Sequence, residues 1–375
     1  MQTVSKKTSI GIIANPYSSR DIRRLISSAT SIQTGERANI VERIIVSLTT
    51  FGIDKVYMMP DKGGISAHLL RNLDSLQRLK KMDIPEIEFL DIPITSTAED
   101  SELAARIFFE KGVDAVLILG GDGTHRVVAK EIADIPMASI STGTNNAFPK
   151  FHEATLIGMG MGLYIKGIVP AETVLHRNKV IHVTVNNETR DIALVDLAIT
   201  NDQWIGARAL WNMENLKELY LTFCEPTAIG MSSVGGLLNP IPRSDPHGLK
   251  IVTSTPDDCE QSVNCPILPG LFEEIGINSS DKLELNTPYE IETKQGVIAL
   301  DGEREIEFSK NDNVVIALKD DGPVTIDINL AIEIAARQGA FLKQRNTKKN
   351  DDFSDVKKNH FEKQQFEQDE SAVSI

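Results

Sequence analysis

Ala115-Val116-Leu117-Ile118-Leu119-Gly120-Gly121-Asp122-Gly123-Thr124 is the stretch on which the reading of this chain turns. Its first five residues are wholly apolar, as expected of a central strand buried on both faces. That strand runs into a glycine-rich turn, and a helix is predicted from about His125 through 127–132. Glycines let a backbone approach a ligand closely and adopt dihedrals that a Cβ forbids. Free N–H groups and a helix N-terminus then form an anion site, which suits a phosphate. Asp122 does not fit that role, because a carboxylate repels phosphate. It fits a Mg²⁺-linked group or a base beside an attacked hydroxyl. A tight turn capped by Asp122 is the plainer alternative, and the position after a buried strand favours function. His125, beside the turn, is placed to touch phosphate or to cap the helix.

The same pattern extends in both directions. Strands are predicted at 10–14, 55–59, 87–90, 115–119 and 137–140. Helices are predicted at 38–51, 65–80 and 98–111, the second with Leu69, Leu70, Leu73, Leu76 and Leu79 on its apolar side. Alternating strands and helices imply βαβ units and a parallel sheet, here an α/β domain over residues 1–172. Beyond about Pro170 the pattern changes to short strands, at 180–185, 193–199, 250–253, 282–285, 289–293, 296–300, 305–308 and 314–318. Gly, Asn, Asp and Pro break them, which predicts a mainly β, sandwich-like domain over 173–327. A helix at 328–342 is placed to return to the first domain, with Phe341 in its core. Residues 343–375 are rich in Lys, Asp, Glu, Gln and Asn, and read as a disordered charged tail. Met159 and Met161 read as core fillers.

Bulk properties narrow the partners. A net charge of −14 argues against nucleic acid, which needs a basic footprint. The three cysteines, Cys224, Cys259 and Cys265, lack the spacing of a disulfide framework or zinc site, and a cytoplasmic location is expected. The apolar run near the N-terminus is too short for a signal-peptide core, and no membrane span is expected.

Two further motifs follow strands. Ser141-Thr142-Gly143-Thr144-Asn145-Asn146-Ala147-Phe148-Pro149 offers hydroxyls, amides and glycine at the carboxyl edge of a sheet, where open α/β sheets bind ligands. Asn15-Pro16-Tyr17-Ser18-Ser19-Arg20 follows the first strand and supplies Asn15 and Ser18 as candidate phosphate contacts. The order NPxS, GGDGT, TGTxN resembles the superfamily of ATP–NAD kinases, diacylglycerol kinases and sphingosine kinases. Within it the chain resembles most the acetoin catabolism protein X family, which is NAD-kinase-like. Residues 33–60, Gly63-Gly64-Ile65, the 141–149 loop and the segment 227–240 carry that resemblance, which spans roughly residues 10 to 342.

The resemblance implies an NAD kinase-like fold and an ATP-dependent phosphotransferase that uses Mg²⁺. The metal would be carried on phosphates, with Asp122 as its only candidate protein contact. Gly120, Gly121, Gly123 and Thr124 match the phosphate turn, Asp122 the aspartate that assists the acceptor hydroxyl, and Thr142, Gly143, Thr144, Asn145 and Asn146 the adjoining polar loop. Asp196 matches the acidic member of an acceptor-binding Asn-Glu or Asn-Asp pair, but Val195 stands where the asparagine would be. Thr227 and Ser232 fall in a segment that resembles a further acceptor-binding loop. Asp301-Gly302-Glu303 resembles a DGE element of lipid kinases, with a simple β-turn as the alternative. The expected reaction is phosphoryl transfer to a nucleotide hydroxyl, NAD being the first acceptor to consider, in a homo-oligomer. The alternatives are a lipid kinase, or a non-catalytic protein that binds NAD or an adenine nucleotide.

Overall fold

A computed structural model describes residues 7–16, 32–80, 83–142, 146–202, 204–205 and 213–343. Ser18, Arg20, Gly143, Thr144, Asn145, Arg208 and the tail from 344 onward lie outside the described residues.

The apolar runs of the first half become the parallel strands β1 (Ser9–Ala14), β2 (Lys55–Met58), β3 (Glu86–Phe89), β4 (Ala115–Gly120) and β5 (Met137–Ser141). Between them run α1 (Thr34–Thr50), α2 (Ile65–Lys80), α3 (Ala98–Lys111) and α4 (Asp122–Ala129). The sheet order is β3-β2-β1-β4-β5, so β4 lies in the interior. All six residues of β4 are buried, as its continuous apolar sequence requires. One face of the sheet packs on α1, α2 and α5 (Ala154–Ile165), and the other on α3. On α2, Leu69 and Leu73 are buried, whereas Leu70 and Leu79 are exposed. Leu70 follows Leu69 by about 100° around the helix, which turns it off the packed face. Met161 is in the core.

The second half is antiparallel and opens with α6 (Ala171–Val174) and β6 (Leu175–Arg177). A four-stranded sheet contains β7 (Val180–Val185) and β8 (Glu188–Ala193), together with β14 (Pro288–Glu290) and β17 (Val314–Lys319). A seven-stranded sheet contains β9 (Asp196–Thr200), β10 (Leu216–Leu221), β11 (His247–Ser254), β12 (Gln261–Leu268), β13 (Leu271–Glu284), β15 (Gly296–Leu300) and β16 (Glu303–Phe308). The two sheets share one apolar layer, with Val183 and Ile316 from the first meeting Ile199, Tyr220 and Ile298 from the second. The seven-stranded sheet also packs on α7 (Met231–Leu238).

The expected single strand over 193–199 is two strands. The chain leaves one sheet at Ala193 and enters the other at Asp196, with Leu194 and Val195 as the step between them. The chain then returns. β18 (Val324–Ile326) pairs parallel with β5 and antiparallel with β6, and α8 (Ile328–Arg337) packs on α5. α8 is shorter than expected, and Phe341 beyond it is 43% exposed rather than in a core. Among the described residues no helix is long and apolar enough to cross a membrane.

Candidate active site

The helix after the glycine-rich turn begins at Asp122, three residues earlier than the sequence suggested. Gly120 ends β4, Gly121 caps α4, and Asp122, Gly123 and Thr124 form the first turn of that helix. Their N–H groups have no intrahelical acceptor, by helix geometry. Gly121 has φ −96°, a value open to any residue, so it is not needed for an unusual dihedral. It is needed for close approach: a Cβ there would lie 2.9 Å from Asn146 Oδ1, and one on Gly120 would lie 2.6 Å from Thr124 Cβ. Asn15 Nδ2 donates to Thr124 Oγ1 at 3.2 Å, and Asn146 Nδ2 to Ser141 Oγ at 2.8 Å. Three separate motifs therefore meet at this turn. Thr142 is buried at the end of β5, its N–H donating to Gly120 O.

Asp122 is 7% exposed. Its Oδ2 accepts from Ala147 N and its Oδ1 from Phe148 N, both at 3.0 Å. The carbonyls of the same two residues accept from Arg243, at 3.0 Å for Phe148 O. The Arg243 guanidinium stacks on the rings of Phe223 (4.0 Å) and Phe148 (5.6 Å). The loop is thus gripped from both sides, by a carboxylate on its amides and a guanidinium on its carbonyls. Burial and the nearby Asp301 push the Asp122 carboxyl up to about 7, against the opposing pull of the two amides and Arg243.

His125 is also fully buried, and burial pushes its pKa down to about 4. Its Nδ1 lies 2.8 Å from Gly121 O. A carbonyl only accepts, so the proton is assigned to Nδ1. His125 is a neutral brace of the turn, and its ring packs tilted against Phe148 with centroids 5.8 Å apart.

Across the cleft, the Asp301 carboxylate accepts from Leu194 N, Val195 N and Asp196 N at 2.8–3.4 Å. These are the amides left over where the chain steps between the two sheets. Asp301 also lies 3.7 Å from Arg126 Nε, and Arg126 bonds Asp191 and Glu305. Asp301 and Gly302 form the tight turn between β15 and β16, the simple turn that the sequence offered, and from it Asp301 fixes the Asp196 strand against α4. Glu303 approaches the turn itself: a Cβ on Gly123 would lie 3.4 Å from its Oε1.

Asp122, Ala147, Asp196, Gly230, Ser232 and Asp301 line one small cleft. Asp196 and Ser232 thus come together with Asp122. Thr227 does not: it is exposed and the cleft begins two residues later, at Ile229. Arg190, a candidate partner for Asp196, instead pairs with Glu188 at 3.1 Å. Val195 is buried in the core and offers the cleft no polar group. Sequence reasoning missed Arg243 and Arg126. Arg126 directly follows His125 and was within reach of a motif-based reading, whereas Arg243 lies about a hundred residues from the loop it grips and has no local signal.

Both Asp122 oxygens already accept backbone N–H groups. Among the described residues no group of three His, Cys, Asp or Glu side chains is arranged to hold a metal.

The fold is NAD kinase-like, and the family models describe its first half as a nucleotide-kinase-like domain. Residues 10–159 match the ATP-NAD kinase N-terminal domain, and residues 179–321 match the acetoin catabolism protein X C-terminal domain. Over 332 residues the chain is 41% identical to acetoin catabolism protein X of Cupriavidus necator, a match covering 88% of this chain and 92% of that protein. The chain belongs to the acetoin catabolism protein X family. It also overlays on a crystal structure of yeast NADH kinase complexed with NADH, with a TM-score of 0.46 and 17% identity, covering 94% of this chain and 91% of that one.

Proposed function

We propose that the protein is an ATP-dependent kinase acting on a hydroxyl of a nucleotide, with NAD the first acceptor to test. The position of Asp122 carries this reading: a buried carboxylate, fixed by two amides, at the first turn of the helix that follows the central strand. In this scheme the N-terminal amides of α4 and Thr124 hold the donor phosphates. Asp196 and Ser232 hold the acceptor, the Asp196 carboxylate accepting from a ribose diol. The acceptor oxygen attacks the terminal phosphorus, the bridging bond breaks to release ADP, and the hydroxyl proton passes to Asp122. Mg²⁺ on the phosphates would supply charge neutralisation when bound. The reaction belongs in a reducing cytoplasm, in keeping with three free cysteines.

The test is Mg-ATP turnover with NAD by wild-type protein and Asp122→Asn, with ADP binding measured in parallel. Loss of roughly 10²-fold or more in turnover with binding retained is expected for a general base. A variant as fast as wild type overturns the role of Asp122. The buried Val195 favours a second reading, in which the cleft binds a nucleotide without turnover. A wild-type protein that binds NAD but transfers no phosphate would select it, and one that does not bind NAD moves a lipid or small alcohol forward as acceptor.

A further inference from the structure

Ala147 lines the acidic cleft, while the next residue, Phe148, lines a second and much larger cavity of about 820 Å³. Its floor is β5, β6 and β18, and its roof comes from the second half of the chain. Much of the wall is apolar, from Phe148, Leu175, Pro226, Pro240, Pro242 and Ile326. The kinase reading uses none of this space.

Most charges on the wall are already committed. Glu225 is taken by Arg243, Glu333 by Arg337, and Arg177 by Asp134 and Gly322 O. Asp327 caps α8 by accepting from Leu330 N at 2.9 Å and lies 3.7 Å from His176. Lys150 remains, with no anionic partner among the described residues. Beside it His152 is held neutral, since burial and the Lys150 charge both lower its pKa. Ile328, Asn329 and Leu330, the first turn of the ten-residue helix α8, form another side of the cavity. The cap fills that helix end with a carboxylate, so Lys150 is the group on this wall that is open to an anion. Ser139 Oγ, at the floor, is buried with no hydrogen-bond partner among the described residues. A pocket with apolar walls and one uncommitted ammonium suits a compact apolar body bearing a strong oxyanion.

We propose that this cavity is a second ligand site, separate from the Asp122 cleft, that takes a small organic phosphate. The phosphate lies against Lys150, and the organic part against Phe148 and the prolines. Phe148 and Arg243 are shared with the loop that grips Asp122, so the site is placed to be felt at the cleft.

Phenyl phosphate is the probe, titrated calorimetrically into the full chain. One saturable site is expected in wild type. Lys150→Gln should weaken it about tenfold or more, the size of one charged hydrogen bond, and Lys150→Arg should restore most of that loss. Asp196→Ala, which alters the acidic cleft on the side away from the Phe148 loop, should bind the probe as wild type does. Because Lys150 is exposed, both of its variants should fold, which circular dichroism checks. Absence of saturable binding to wild type overturns the proposal, as does unchanged affinity in Lys150→Gln. Loss of binding in Asp196→Ala overturns it too, by assigning the probe to the acidic cleft. The titration does not use turnover, so it stands or falls apart from the kinase reading.

Discussion

Asp122 and Asp301 are a matched pair: two aspartates, each under a tenth exposed, on facing sides of one cleft, each accepting backbone N–H groups. They differ in what surrounds them. Asp301 meets three consecutive amides where the chain steps from one sheet to the other, and it faces Arg126, which is anchored at Asp191 and Glu305. Asp122 meets two amides of a loop, and the nearest cation, Arg243, is spent on the carbonyls of that loop. One carboxylate is consumed by architecture, and the other is held in place with its charge left to act. A residue type in a cleft does not announce its role; the inventory of its partners does.

The largest effect should come from the architectural member. Asp301→Ala leaves buried amides and part of the Arg126 charge without a partner. We expect a loss of about 3–5 kcal/mol, the range for breaking a buried ion pair, read as a shift of the urea midpoint. A shift below about 1 kcal/mol would erase the distinction between the two aspartates.

Asp122→Asn should instead appear in turnover, by roughly 10²-fold or more. A pH profile sharpens this. The base must be deprotonated, and its carboxyl is raised to about 7, so turnover should climb with pH through about 7 and level off above it. The variant should lack that rising limb. His125, pushed down to about 4, stays neutral throughout and contributes no second limb near neutrality.

The two halves of the chain were unequally legible, for a physical reason. In the first, strands buried on both faces are continuous apolar runs, and 65–80 and 98–111 were read to the residue as helices. In the second, β10 and β12 escaped notice. Glu218 lies inside β10, buried because its carboxylate collects Tyr220 Oη–H from its own strand and Glu292 N and Thr293 N from more than seventy residues away, and the last two have no local signal. The step at Leu194-Val195 is apolar like Ala193 before it, so no turn residue marks it; Asp301, about a hundred residues later, makes it possible. The candidate site divides in the same way. Gly120 to Thr124 were visible as a motif, and Asp196 and Ser232 through family resemblance. Arg243 depends on tertiary contact alone.

Asp196 tests the acceptor side. Asp196→Ala should weaken NAD binding by about 1.5–3 kcal/mol, the range for hydrogen bonds to a charged group, while ADP binding changes little. Calorimetry with each ligand separates the two. Equal loss of both would make Asp196 a second architectural aspartate beside Asp301.

Arg243 should give the smallest effect and the most discriminating one. It touches neither cleft-lining oxygen of Asp122, yet it holds the loop whose amides do, and its charge favours the ionised carboxylate. Arg243→Met removes grip and charge together. Removing a nearby cation raises a carboxyl pKa, so the rising limb of the turnover profile should move to higher pH, by about half to one unit, or roughly 1 kcal/mol. Turnover at pH 7 should fall by up to about tenfold and recover in part at pH 9. Arg243→Lys keeps the charge but cannot span both carbonyls in the same fork, so it should leave the limb near its original position while lowering the plateau. A structural residue would depress the plateau in both variants and leave the limb where it was. The limb shift in the methionine variant alone therefore identifies Arg243 as the group that positions and tunes Asp122, and its absence returns Arg243 to the packing of Phe148 and Phe223.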